Sequence, residues 1–165
     1  MNAITTLSRY AGVLAAVLMA VTGAMLTYEV IARYFFIKPT IWAAELSQLC
    51  LIWGCMLAMP YVLSLQRHIT VNAVTALLPK GAQRVCAALA LVLVILFSVI
   101  VAYWGWTIFW DSFERGRTTG SILNLPIAIT EFAIPFGFGL LALQAGVELA
   151  RLRDPEASFG GATHE

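Results

Sequence analysis

From Val85 to Trp110 the chain runs without a single charged residue. Coiled as a helix at about 1.5 Å per residue, that tract is long enough to cross the roughly 30 Å hydrocarbon core of a bilayer. In lipid an isolated spanning segment must satisfy its own backbone hydrogen bonds, so a helix is the conformation it requires. Three further tracts have the same character. Tyr10 to Tyr28 is uncharged, and its helix is expected to continue to about Phe36. Leu46 to Gln66 follows the acidic Glu45, and a fourth tract from about Pro126 to Ala150 is interrupted by Glu131. The expected fold class is an all-α membrane protein with four transmembrane helices, at about 10–36, 42–66, 84–110 and 125–150. These form one membrane domain, residues 1–150, and no internal repeat or soluble domain is visible. Residues 151–165, RLRDPEASFGGATHE, are polar and turn-rich and predict a disordered cytoplasmic tail. The first tract exceeds the apolar region of about 7 to 15 residues found in cleaved signal peptides, so it is read as a retained span.

Composition agrees. Hydrophobic residues make up 61% of the chain and charged residues 12%, about half the density of soluble domains. A net charge of +1 gives no reason to expect nucleic acid. Cys50, Cys55 and Cys86 lie inside apolar tracts, and an odd count without a CxxC pair supports neither a disulfide framework nor a zinc site. Haem ligation would need histidines on facing spans. His68 lies between spans and His164 in the tail, so no haem is expected. There is no Ser/His/Asp set, Walker loop or HExxH, and the chain is read as a non-enzyme without cofactor or metal.

Loop charge orients the spans. With a cytoplasmic amino terminus, Arg9, Arg67, Lys80, Arg84, Arg151 and Arg153 fall inside, and Arg33, Lys38, Arg115 and Arg117 fall outside. Six against four favours both termini in the cytoplasm. Tyr34, Phe35, Phe36, Trp42, Tyr103, Trp104, Trp106 and Trp110 then form an aromatic belt at the outer interface.

The polar residues near the spans are few. Glu29 and Arg33 stand four apart with the acid first, the better order for a helical ion pair. Glu131, about 8 Å below a helix start at Pro126, lies between interface and midplane, where an unmet acid is costly. It is read as facing a partner. Pro60 and Pro135 interrupt spans two and four. Gly12, Ala16, Ala20 and Ala24 recur every four residues in span one, and Ala142, Gly146 and Ala150 in span four. Small residues let helices approach closely in lipid, so these stripes predict helix packing, within the chain or outside it.

Between spans two and three the chain reads RHITVNAVTALLPKG. Ile69, Ala73, Val74, Leu77 and Leu78 recur at helical spacing, too few to span, which predicts a short amphipathic helix along the cytoplasmic interface. Arg67 and His68 would fix the turn leaving span two. At the other end, Trp42 and Glu45 would anchor the outer start of that span. The outer loop DSFERGRTTGS carries Asp111, Glu114, Arg115 and Arg117, four charges that read equally well as a solvated loop or as a contact for a soluble partner.

Read in order, Trp42-x-x-Glu45-Leu46, then Arg67-His68-Ile69-x-Val71, then Leu78-Pro79, then Ser121-x-Leu123-x-Leu125-Pro126 and Ile134-Pro135-x-Gly137, the chain resembles the small membrane subunit of tripartite ATP-independent periplasmic (TRAP) transporters, the DctQ type. The match covers nearly the whole chain. It departs at Asn72, where the family often has an acid, and at Glu131, where an apolar or aromatic residue is more usual. The resemblance implies a bacterial inner-membrane symport complex. A periplasmic substrate-binding protein delivers a small organic acid, a large TRAP membrane subunit carries substrate and sodium, and this subunit packs beside it among membrane lipids as scaffold. The alternative is a self-sufficient four-span ion-coupled exporter with Glu29 or Glu131 as its coupling acid.

Overall fold

The structure is a computed structural model that describes residues 2–38, 40–65, 80–120 and 123–153. Four helices follow in order: α1 (Asn2–Phe35), α2 (Ile41–Leu65), α3 (Lys80–Glu114) and α4 (Ile127–Arg153). All four are long and apolar enough to cross a membrane, and no strand forms among the described residues. The short interfacial helix expected between spans two and three falls on residues outside those described. So does the tail beyond Arg153; Arg151 to Arg153 themselves continue α4.

The helix ends have local causes. After α1 the N–H groups of Phe36 and Lys38 both donate to the Ala32 carbonyl. Ile37 adopts φ +54°, a left-handed conformation unusual for a β-branched residue, and the helix cannot continue. Between α3 and α4, Gly116 and Gly120 take positive φ and Asn124 sits at +49°, a region Asn tolerates better than most side chains. There Thr119 N–H donates to the Leu125 carbonyl at 3.0 Å and Ile127 N–H to the Arg117 carbonyl at 3.1 Å. The α3–α4 loop is therefore drawn into a short antiparallel clasp, with a bridge between Thr118 and Pro126.

The helices pack in the order α1–α2–α4–α3. The main contacts are α1 with α2, α3 with α4, and α2 with α4, while α1 touches α4 over a small area. A closed square would also join α3 to α1; this arrangement is an open row of two hairpins with α2 and α4 side by side in the middle. Each hairpin pairs a long helix with a shorter one, and both close at the same end of the row. That end is called the loop end below, and the other, where α1 begins, the terminal end.

Small residues make this packing possible. Among the described residues the buried apolar positions are mostly alanines: Ala11, Ala15, Ala32, Ala43, Ala128, Ala133 and Ala145. Gly12 of α1 lies against the Tyr61 ring of α2. Gly54 of α2 faces Leu18 and Met19. On α3 the buried Ser98, Gly105 and Ser112 stand seven apart, and Gly105 meets Ile134 and Pro135 of α4. At the central seam a Cβ at Gly137 would sit 2.7 Å from the Met56 Cβ and 3.1 Å from its carbonyl oxygen, so only glycine fits. Trp53, Phe132 and Phe136, with centroids about 6 Å apart, fill the seam beside it, and Phe109 of α3 joins at 5.2 Å from Phe132.

Within the chain only the start of the four-residue stripe on α1 is packed. Gly12 is buried, but Ala16, Ala20 and Ala24 are exposed, with Gly23 meeting nothing within 4 Å. The reason is geometric: a step of four residues advances about 400°, so the stripe drifts some 40° per step and leaves the α2 side. Ala11, Ala15 and Thr22 take its place. On α4 the same holds, for Ala145 and Val147 are buried while Ala150 is exposed.

Substituting Gly137 by Ala is expected to destabilise the protein by about 1–3 kcal/mol, as overpacking does. Gly23→Ala, which meets open space in a helix, is expected to be neutral or stabilising by up to about 1 kcal/mol. Denaturant-induced unfolding in detergent micelles, followed by circular dichroism, separates the two.

Candidate functional site

At the loop end Trp42 is partly exposed and packs its ring 6.1 Å from that of Tyr28, tying the start of α2 to α1. Glu45, one turn further on, is half-buried. Both of its carboxylate oxygens are enclosed, and neither has a hydrogen-bond partner among the described residues. Glu131 on α4 is likewise half-buried with Oε2 enclosed and unmet. Leaving such groups unmet is expensive in an apolar medium. Glu29, by contrast, is buried and ion-paired with Arg33, which reaches solvent. That pairing is the one the sequence spacing predicts.

The α3–α4 loop carries the clasp's charges. Asp111 accepts from Arg115 at 2.6 Å through one oxygen and from Arg117 at 2.9 Å through the other. The Trp110 indole N–H donates to Glu114 at 2.8 Å. Asp111, Arg115 and Arg117 are held to one another and Glu114 to Trp110, all exposed or nearly so, so the loop presents a fixed pattern of charge. Arg67 and His68 lie outside the described residues.

At the terminal end lies a cluster that reading the sequence missed. Ser8 Oγ of α1 donates to Gln144 Oε1 of α4 at 2.8 Å, and Gln144 Nε2 donates to Glu148 Oε1 at 3.2 Å. Arg151 donates to that same oxygen at 3.3 Å and, through its other terminal nitrogen, to Thr5 Oγ1 at 2.9 Å. Gln144, Glu148 and Ser8 are 0%, 3% and 4% exposed. The five side chains form a polar clamp from α1 to α4. The signal was available, since residues 144, 148 and 151 share a helix face at steps of four and three. It passed unnoticed because Glu148 stands near the end of the apolar tract, where charge is ordinary.

None of these groups converges on a common point at mid-membrane. The described residues hold no group of three or more His, Cys, Asp or Glu able to bind a metal. The acids are distributed: Glu29 paired on α1, Glu45 on α2 and Glu131 on α4 near the loop end, Glu148 clamped at the terminal end. What this arrangement can do is hold helices and meet neighbours.

Four spanning helices in an open row, with polar groups spent on fastening them, define a multi-pass membrane protein. Residues 22–154 match the family described as tripartite ATP-independent periplasmic transporters, DctQ component. The match covers most of the chain, which belongs to this family of small TRAP transporter membrane subunits. No curated protein matches it.

The clamp yields a measurable expectation. A double-mutant cycle of Ser8→Ala and Gln144→Ala, read by unfolding in detergent, is expected to give a coupling energy of about 0.6 kcal/mol and no more than about 1.7 kcal/mol, the range of interhelical hydrogen bonds in membranes. Zero coupling would show that the two side chains do not bond in the membrane.

Proposed function

We propose that the chain is the scaffolding subunit of a sodium-coupled TRAP transporter in the bacterial inner membrane, packed beside a large membrane subunit that carries substrate and sodium. A periplasmic binding protein delivers the substrate, a small organic acid, and both termini face the cytoplasm. Membership of the DctQ family supports the setting. The observation that carries the scaffold role is the open row: α3, the most apolar helix, has only 6% of its spanning window buried, and α1 leaves Ala16, Ala20 and Gly23 exposed. Surfaces of this kind suit a larger helical neighbour. A transporter acting alone would bring broken helices or polar groups together at the midplane, and the described residues bring together neither.

In this reading Glu45 and the Oε2 of Glu131, unmet among the described residues, take donors from the large subunit, and Trp42 supports Glu45 at the start of α2. Arg67 and His68 hold the turn after α2. The pinned charges of Asp111, Glu114, Arg115 and Arg117 face the binding protein.

Sodium-driven uptake is expected in proteoliposomes that contain this chain, the large subunit and the binding protein, and none from this chain alone. Ion-driven flux from this chain alone would instead establish an exporter coupled through Glu29 or Glu131. Glu45→Gln is expected to lower co-purification with the large subunit while leaving uptake per assembled complex nearly unchanged. Full assembly with lost uptake would remove Glu45 from the interface and place it in transport.

A further inference from the structure

Outward from the polar clamp, α1 and α4 diverge over α2 and leave a crevice of about 600 Å³ open to the side of the bundle. Its walls are apolar, with Leu7, Leu14 and Leu18 from α1, Trp53 and Leu57 from α2, and Leu140 from α4. Leu7 to Leu18 spans about 16 Å of helix, half of a hydrocarbon core of roughly 30 Å and so the depth of one leaflet. The crevice is lined mainly by long branched and aromatic side chains. A helix docking in lipid prefers small residues that admit its backbone, and this chain exposes those on another face of α1, at Ala16, Ala20 and Gly23. Charge sets the polarity of the occupant. On the helices that line it, this end carries the exposed Arg9 of α1 and Arg151 of α4 against the acid Glu148, which Arg151 already engages, an excess of one cation.

We infer that this crevice holds one acyl chain of an anionic phospholipid from the leaflet at the terminal end. The headgroup phosphate lies at the level of the cationic rim, and the acyl chain runs along Leu7, Leu14 and Leu18 toward the midplane. Buried methylenes supply the affinity, and the excess cation selects an anionic headgroup. The inference goes beyond the transporter reading and does not depend on it, because binding is measured on this chain by itself.

The test is native mass spectrometry of the full chain in mild detergent with added palmitoyl-oleoyl phosphatidylglycerol or the matching phosphatidylcholine. One phosphatidylglycerol per chain is expected to be retained, about fivefold more tightly than phosphatidylcholine, the effect of one cation at a membrane surface. Leu14→Trp fills the crevice and is expected to weaken retention about tenfold, as displacing about two methylenes would. Ala20→Trp, on another face of the same helix, should leave retention unchanged. Leu7→Trp serves as a second crevice variant, and circular dichroism checks that each folds. Equal retention by Leu14→Trp, Leu7→Trp and Ala20→Trp would overturn the proposal, as would equal retention of the two lipids. In the assembled complex, cross-linking of Leu14→Cys to the large subunit would put a helix in the crevice and overturn it as well.

Discussion

The structure depends on the close approach of α2 to α4. Each hairpin has its own internal seam, but only this contact joins them over any length. It exists because Gly137 presents no side chain to Met56. In water the apolar faces would be driven together by burial. In lipid the surroundings are as apolar as the faces, and backbones approach only where side chains are small enough to allow dispersion contacts across the gap. The buried alanines, with glycines and serines at the tightest points, are the imprint of that requirement. Aromatic rings then fill the space beside the seam rather than create it.

Much of the fold was legible in the sequence. In lipid each span must be a helix, and the length of an apolar run fixes its extent, so four helices followed directly. Their packing order was not legible, because apolar tracts carry little periodicity when both lipid and protein contacts are greasy. The Gly12 stripe shows why: spacing of four identifies small residues but drifts around the helix, so Ala16, Ala20 and Ala24 end on a different face from Gly12. The ion pair of Glu29 with Arg33 was readable since both partners sit on one helix. The polar clamp was not, because its meaning lies in Ser8, which is 136 positions away from Gln144.

The candidate site follows the same division. Residue types and order pointed to Trp42, Glu45 and Glu131, and to the charged loop. What the sequence could not show is the state of each group. Glu45 and Glu131 have no partner for their enclosed oxygens among the described residues, whereas Asp111 is doubly engaged. An unmet polar atom inside an apolar bundle calls for an explanation beyond the described residues, and a met one is locally finished.

The clamp also bears on the order of synthesis. Its α1 members emerge from the ribosome well before its α4 members. The first helix therefore enters the membrane with Ser8 and Thr5 lacking their eventual partners on α4. Until α4 arrives, the α1–α2 hairpin must stand on its small-residue seam. Helix α4 then supplies both the glycine that seats the two hairpins together and the polar groups that lock α1 in place. A helix made after the other three is thus the one that joins them.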